Sequence, residues 1–293
     1  MNRTKAKRLG LIGLGEMGMG MARNLLAAGF PLTGLDLRAE RRAMLEQAGG
    51  AVAGSPADLG RAADVAILML FSGAELPGVL RGEDGLLAGM QPGGTVIVCA
   101  TVGPGVMRDV AARLESDGLR WLDCPVSGGR QVAEAGALGL FVAGSGGDVA
   151  AQRDVLAAIG ERVIHVGAEP GLGQALKAAT LGFYAVASVG LLEALALGAR
   201  AGVPVDALRE AFCGDGGDGS HLQELAGYAL DRQFRDTDNQ IRYTAKDLEI
   251  CLELGRECGT SLLATRASHE QVSLAHSRYP DEDKQCLFKV LEA

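Results

Sequence analysis

The chain has 293 residues, 48% hydrophobic and 22% charged, which is enough apolar material for a large core in one or two domains. Aromatic residues make up only 4% while glycine occurs 43 times, a balance that suits close-packed helices and tight turns and argues against a β-sandwich. A formal charge of −8 repels phosphate backbones and disfavours nucleic acid as a partner.

The start, residues 1–8, is basic, but the apolar run after it is short, broken by glycine and followed by Glu16. That is a poor signal peptide and a good first strand. From there to residue 168, short apolar runs alternate with helical periodicity. Strands are predicted at 9–12, 32–35, 65–71, 96–99, 119–123, 138–143 and 163–166. Helices are predicted at 17–28, 38–48, 74–80, 104–115 and 148–159. Alternation of this kind implies an α/β domain with a mostly parallel, doubly wound sheet over residues 1–168.

After residue 168 the strand signal stops. A helix apolar on nearly all sides is predicted at 174–200, and such a helix should be buried. Its longest uncharged stretch, 178–192, is too short to span a bilayer, so no membrane segment is expected. Asp206 can cap the next helix, 206–212, and further helices are predicted at 222–230, 239–257 and 260–277. Residues 169–293 are therefore expected to form a second, all-α domain. The acidic run Asp281-Glu282-Asp283 reads as a solvated cap on a last helix. The cysteines Cys99, Cys124, Cys213, Cys251, Cys258 and Cys286 are scattered without a C-x-x-C pair, which suggests a reducing, cytoplasmic setting. Cys251 and Cys258, seven apart, should share a helix face.

The first strand runs into Gly13-Leu14-Gly15-Glu16-Met17-Gly18. In a G-x-G-x-x-G between strand and helix, the first glycine permits the turn, the second admits a pyrophosphate and the third lets helix pack on strand. The helix N-terminus offers N–H groups and a positive dipole end to the phosphates. The bland alternative is an ordinary strand–turn–helix corner, but the placement favours a Rossmann dinucleotide domain. Asp36, at the end of the second strand and followed by Leu37 and Arg38, can accept from the adenosine ribose hydroxyls and repel a 2′-phosphate. It can equally cap the following helix. NAD is expected over NADP, although Arg38 could pair with a 2′-phosphate.

Three further segments carry candidate chemistry. Ser127, Gly128 and Gly129 follow a predicted strand and form a compact donor set suited to a carboxylate; taken alone they are also a plain turn. Lys177 opens an otherwise uncharged helix, so its amine must either snorkel to water or face a pocket. In a pocket its pKa would fall toward neutrality, as acid–base work requires. Lys246-Asp247 on its own reads as a solvated helix turn. The four histidines make no metal-ligand spacing, and there is no G-x-S-x-G elbow.

Together, residues 13–18 with Met21-Ala22-Arg23-Asn24-Leu25, then Pro125-Val126-Ser127-Gly128-Gly129, then residues 171–177 and Lys246-Asp247, resemble the β-hydroxyacid dehydrogenase family over nearly the whole chain. The resemblance implies Lys177 as acid–base residue and Ser127, Gly128 and Gly129 as the substrate carboxylate anchor. It implies Lys246 reaching toward the cofactor, and Leu70, Phe71 and Thr101 lining the dinucleotide; Phe71 stands where the family usually has proline. Ala100-Thr101-Val102-Gly103-Pro104 and Gly82-Glu83-Asp84-Gly85 look most like the L-threonate dehydrogenase branch.

Two departures bear on substrate. The family usually carries an amide pair three and four residues after the lysine, where this chain has Thr180 and Leu181. A segment running from Gly214 to His221 replaces a shorter one, which makes Ser220 or His221 a candidate substrate contact. The implied activity is hydride transfer between a small β-hydroxy acid of three or four carbons, such as L-threonate, and NAD. Alternatives are an NADPH-dependent reductase of small aldehyde acids such as glyoxylate or succinic semialdehyde, and a dinucleotide-binding module without turnover. The long apolar helix suggests a homodimer or homotetramer.

Overall fold

The computed structural model describes residues 7–214, 221–237 and 240–292. It divides into two compact units, Met1–Lys177 and Ala178–Ala293, whose boundary falls inside one helix.

In the first unit the strands are β1 (Leu9–Ile12), β2 (Leu32–Leu35), β3 (Ala51–Val52), β4 (Val65–Leu68), β5 (Thr95–Val98), β6 (Arg120–Asp123), β7 (Val126–Ser127), β8 (Gly139–Ala143) and β9 (Arg162–Gly167). Between them run α1 (Glu16–Ala27), α2 (Ala39–Gln47), α3 (Pro56–Ala62), α4 (Leu76–Leu80), α5 (Leu86–Gly89), α6 (Pro104–Ser116), α7 (Gly129–Glu134), α8 (Gly146–Ala151) and α9 (Arg153–Ile159). The sheet order is β3-β2-β1-β4-β5-β6-β8-β7, with β9 on β8. From β3 to β6 every pairing is parallel, and β6–β8 and β7–β8 are antiparallel.

Both faces of this sheet are covered, so its strands are apolar almost throughout. Period-two alternation sends Leu9, Leu11, Val65, Ile67 and Ile97 to one face with α1, α7 and α9. It sends Ile12, Ala66, Leu68, Val96 and Val98 to the other with α3 and α6. The expected strand at 65–71 ends at Leu68: Met69 N still donates to Ile12 O at 2.9 Å, after which Leu70 and Phe71 leave the sheet. β3 and β7, two residues each, are too short to give a pattern. α3 was legible in principle: Ser55 caps it through Asp58 N and Pro56 opens it. The expected helix at 148–159 is two helices broken at Gln152.

The second unit is helical. It takes most of α10 (Leu172–Arg200), then α11 (Val205–Cys213), α12 (His221–Leu230), α13 (Ile241–Cys258), α14 (Leu263–Arg278) and α15 (Leu287–Glu292). Leu192, Leu195, Leu208, Leu225, Leu248, Val272 and Phe288 make its core. The N-cap of α11 is Pro204, and Asp206 sits inside the first turn rather than capping.

One expectation about α10 fails, and so does the length argument behind another. Phe183 is 66%, Tyr184 50% and Leu197 73% exposed, so the helix is not buried on all sides. It is also long and apolar enough to cross a membrane by length and composition, with mean hydropathy 1.7 over 18 residues, of which 39% are buried. Counting only the uncharged stretch missed this, because the helix runs on past Lys177 and Glu193.

The acidic run is not a solvated cap. Asp283 is buried and accepts from Thr237 N (2.7 Å) and Thr237 Oγ1 (2.8 Å), while Glu282 pairs with Lys289 at 2.5 Å. Cys251 and Cys258 share α13, but Cys251 is buried and donates to Ala178 O at 3.0 Å, whereas Cys258, at the helix end, is exposed.

Candidate active site

In the sheet register Ile12 lies beside Leu68, Leu68 beside Val98 and Val98 beside Asp123, so β1, β4, β5 and β6 all end on one edge. The chain goes outward from β1 to β2 and β3, then returns to β4. The crevice at such a reversal is where open α/β sheets bind ligands.

Gly13, at φ +95°, leaves β1 so close to β4 that a Cβ would lie 2.1 Å from Met69 O. A Cβ on Gly18 would lie 1.9 Å from Gly13 O. A Cβ on Gly15 would meet only Arg38 Nη2, at 3.7 Å, an ordinary contact, so no main chain crowds this glycine. Gly15 is also the N-cap of α1 and contributes no side-chain cap. Two glycines therefore press the turn against the sheet while the third leaves room beside a helix N-terminus. Those residues fit a pyrophosphate. Glu16 and Met17 form the first turn, and Leu14 is buried.

Asp36 follows β2. Its Oδ2 accepts from Leu14 N at 2.8 Å and its Oδ1 from Arg38 N at 2.9 Å and Arg38 Nε at 3.2 Å. Burial opposes its charge, but the hydrogen bonds from Arg38 and Leu14 prevail and hold the carboxyl below its usual range. Arg42 Nη1 donates to Asp36 O (2.7 Å) and Leu37 O (3.0 Å), and the Leu37 side chain is fully in solvent. Leu70 and Phe71 follow β4, with Leu70 buried and Phe71 partly exposed; Thr101 follows β5.

Past β6 the chain forms the Ser127–Gly129 turn, with Gly128 at φ +144° and Gly129 at φ +76°. A Cβ on Gly129 would meet nothing within 4 Å, so this corner is open.

The residue that sequence reasoning missed is Asp123. It is fully buried at the end of β6, and its Oδ2 accepts from Gly171 N (3.0 Å), Gly173 N (3.0 Å) and Gln174 N (3.3 Å). Burial pushes its carboxyl up to about 6 against the pull of these bonds. They tie the start of α10, and with it Lys177, to the edge where the glycine turn and Thr101 lie. Lys177 is 8% exposed, so little of its side chain meets bulk water. Beside Asp123, the thiols of Cys124 and Cys99 are fully buried, and the Cys99 hydrogen bond and burial raise Cys124 well above the usual thiol range.

The N-terminal unit matches the model of the NAD-binding domain of 6-phosphogluconate dehydrogenase over residues 8–167. Residues 171–291 match the model described as NAD-binding of NADP-dependent 3-hydroxyisobutyrate dehydrogenase. The chain belongs to the β-hydroxyacid dehydrogenase family. It is an NAD-binding oxidoreductase with a Rossmann domain followed by a helical domain.

It is 34% identical to the L-threonate dehydrogenase of Cupriavidus necator, over 97% of this chain and 96% of that protein. Identity to the NAD-dependent L-serine dehydrogenase of Pseudomonas aeruginosa is 38%, over 70% of this chain and 68% of that one. The crystal structure of a 3-hydroxyisobutyrate dehydrogenase from Salmonella typhimurium superposes with a TM-score of 0.88 at 27% identity, covering 97% of this chain and 99% of that one.

Not every family position lies in the N-terminal unit. Thr180, three residues along α10 from Lys177, belongs to the second compact unit. So does Lys246 on α13, whose Nζ lies 3.2 Å from Asp247 Oδ1. Ser220 lies outside the described residues. His221 opens α12, with its Nε2 2.5 Å from Lys284 Nζ. Burial and the Lys284 charge lower His221 to about 4, while burial lowers Lys284 to about 8. Among the described residues no group of three or more His, Cys, Asp or Glu is placed to hold a metal.

Proposed function

We propose that this family member is an NAD-dependent dehydrogenase of a three- or four-carbon hydroxy acid, with Lys177 as general acid and base. The observation that carries this reading is the burial of Lys177 on a helix tied to the C-terminal edge of the sheet strands. The Ser127 hydroxyl and the Gly128 and Gly129 main-chain N–H groups take the substrate carboxylate at the open corner after β6. Gly13, Gly15, Gly18 and the first turn of α1 hold the pyrophosphate; Asp36 takes the ribose hydroxyls; Leu70, Phe71 and Thr101 line the crevice, and Lys246 contributes from the helical domain. Bound NAD supplies the acceptor for the hydride from the carbinol carbon. The neutral Lys177 amine takes the hydroxyl proton, and in the reverse direction its ammonium returns one. Positioning and charge are the protein's share of the work.

The relatives are named for L-threonate, L-serine and 3-hydroxyisobutyrate, all short acids that carry a hydroxyl group. With Thr180 and Leu181 at the amide-pair positions, this site has one hydroxyl where the family has two amides, which favours a substrate making fewer polar contacts there. Arg38 and Arg42 beside Asp36 support a second reading, NADPH-linked reduction of a small aldehyde acid. The apolar side chains exposed on α10 support a homodimer or homotetramer, to be measured by light scattering. A family model that takes in α10 supports its role as a core helix of a soluble enzyme, and the free cysteines favour the cytoplasm.

Spectrophotometric screening of NAD and NADP reduction against short hydroxy acids identifies substrate and coenzyme. On the best substrate, Lys177→Ala should lower kcat by about 10²–10⁴ while NADH still binds in a fluorescence titration. Unchanged turnover in that variant removes Lys177 from the chemistry.

A further inference from the structure

We propose that Asp123 and Gln174 are positioning residues that set the rotation of α10, and so aim the Lys177 amine; the proposal rests on Lys177 being the acid–base group. Helix α10 has no capping side chain of its own, since the residue before it is Gly171 at φ +92°. Three N–H groups at its start, those of Gly171, Gly173 and Gln174, converge instead on Asp123 Oδ2 from another element. A carboxylate there meets both the orphan donors and the positive end of the helix.

A simple cap would end with that oxygen. Here Asp123 Oδ1 also accepts from Gln174 Nε2 at 3.0 Å, and the same Nε2 donates to Ala100 O at 3.1 Å. Gln174 Oε1 accepts from Val102 N at 2.9 Å and Gly103 N at 3.2 Å. Two N–H donors on one side and a carbonyl with a carboxylate on the other fix which way the amide points. Gln174 is 1% exposed, so a lost partner is not replaced by bulk water.

The helix is also pressed home. A Cβ on Gly173 would lie 2.6 Å from Phe141 O, and one on Gly171 would lie 3.0 Å from Pro104 O. Gly173 and Gln174 precede Lys177 by four and three residues, so all three share a helix face. The clamp therefore fixes that face, the loop 100–103 that carries Thr101, and the end of β6 as one rigid unit. Rotating α10 would swing the amine sideways, and a displacement of about 1 Å costs about 10²-fold in rate.

The test compares steady-state kinetics of Asp123→Asn, Gln174→Glu and the double variant, each also made with Lys177→Ala. The Asp123→Asn change would point an amide donor at the Gln174 donor. In the double variant the carboxylate introduced at position 174 accepts from the amide introduced at position 123. It still accepts from Val102 and Gly103, at the expense of the bond to Ala100, whose oxygen then faces a carboxylate oxygen. We expect Asp123→Asn to lower kcat by about 10–10²-fold with the KM for NAD changed less than about 2-fold, and the double variant to recover at least about 10-fold of any larger loss. With Lys177→Ala present, Asp123→Asn should cost nothing further. Wild-type kcat in Asp123→Asn, equal losses in both backgrounds, or a double variant no better than the single overturns the clamp. If Asp123→Asn does not fold by circular dichroism, Gln174→Met, which leaves the Oδ2 cap whole, takes its place: the same kcat loss supports the clamp and wild-type kcat overturns it. An undiminished Lys177→Ala enzyme defeats the underlying reading instead, and is seen before any clamp variant is made.

Discussion

Three glycines of the N-terminal unit and two of the helical unit meet opposite surroundings. In the N-terminal unit an added methyl at Gly13, Gly18 or Gly173 runs into main-chain oxygen at 2.1, 1.9 and 2.6 Å. In the helical unit a methyl on Gly190 or Gly227 meets nothing within 4 Å, and cohesion comes from side chains such as Leu195, Leu225 and Phe288. In the proposed site the first unit would hold its ligand largely with backbone, which no side-chain change can adjust gradually. The second holds itself with side-chain packing.

Breaking this comparison starts with the largest effect. Gly13→Ala combines a left-handed φ with a collision against Met69 O, and should cost about 3 kcal/mol or more in urea unfolding and abolish NADH binding. Gly227→Ala, inside α12, should instead stabilise by about 0.5–1 kcal/mol, because glycine is the poorer helix residue. Comparable losses at both positions would show that the contrast is false.

Next in size is coenzyme choice. Asp36→Ala removes a carboxylate bonded to both Leu14 N and Arg38 and leaves Arg38 and Arg42 at the same corner. NADH should bind about 10–10²-fold more weakly, with NADPH equal or better, by fluorescence titration. If the NADH-to-NADPH ratio does not change, Asp36 does not set the preference.

The smallest effect sharpens the packing side. Burial holds Lys284 at about 8, so the folded state takes up its proton less readily than the unfolded chain does. Stability should therefore rise with pH between about 8 and the unfolded lysine value of about 10.5, and carry the full penalty below 8. Lys284→Met should raise Tm at pH 7 by a few degrees, equivalent to about 1 kcal/mol, and lose that advantage as pH approaches 10.5. An advantage constant across this range points to packing rather than charge.

The sequence foretold the parallel strands and the glycine turn because both are local: an apolar run of four residues, and three glycines within six. Lys177 stood out because the helix around it carries so little charge. Asp123 and Gln174 did not, because their partnership spans 51 residues and neither belongs to a periodic pattern. The signal was a carboxylate closing an apolar strand and a lone amide opening an apolar helix, two polar groups each needing a partner that the local chain could not supply. His221 and Lys284, 63 residues apart, were hidden for the same reason. The burial of α10 was misjudged because composition cannot say which side of an apolar helix a single chain covers; Phe183, Tyr184 and Leu197 remain outside.

The uneven shielding of the six sulfurs has a practical use. Cys99, Cys124, Cys251 and Cys286 are enclosed, Cys213 is half-enclosed, and Cys258 stands open at the tail of α13. A maleimide dye should couple first at Cys258, giving an optical reporter on the helical unit of the native chain with no engineered attachment point. Its response to added NADH would report whether dinucleotide binding in one unit is felt in the other.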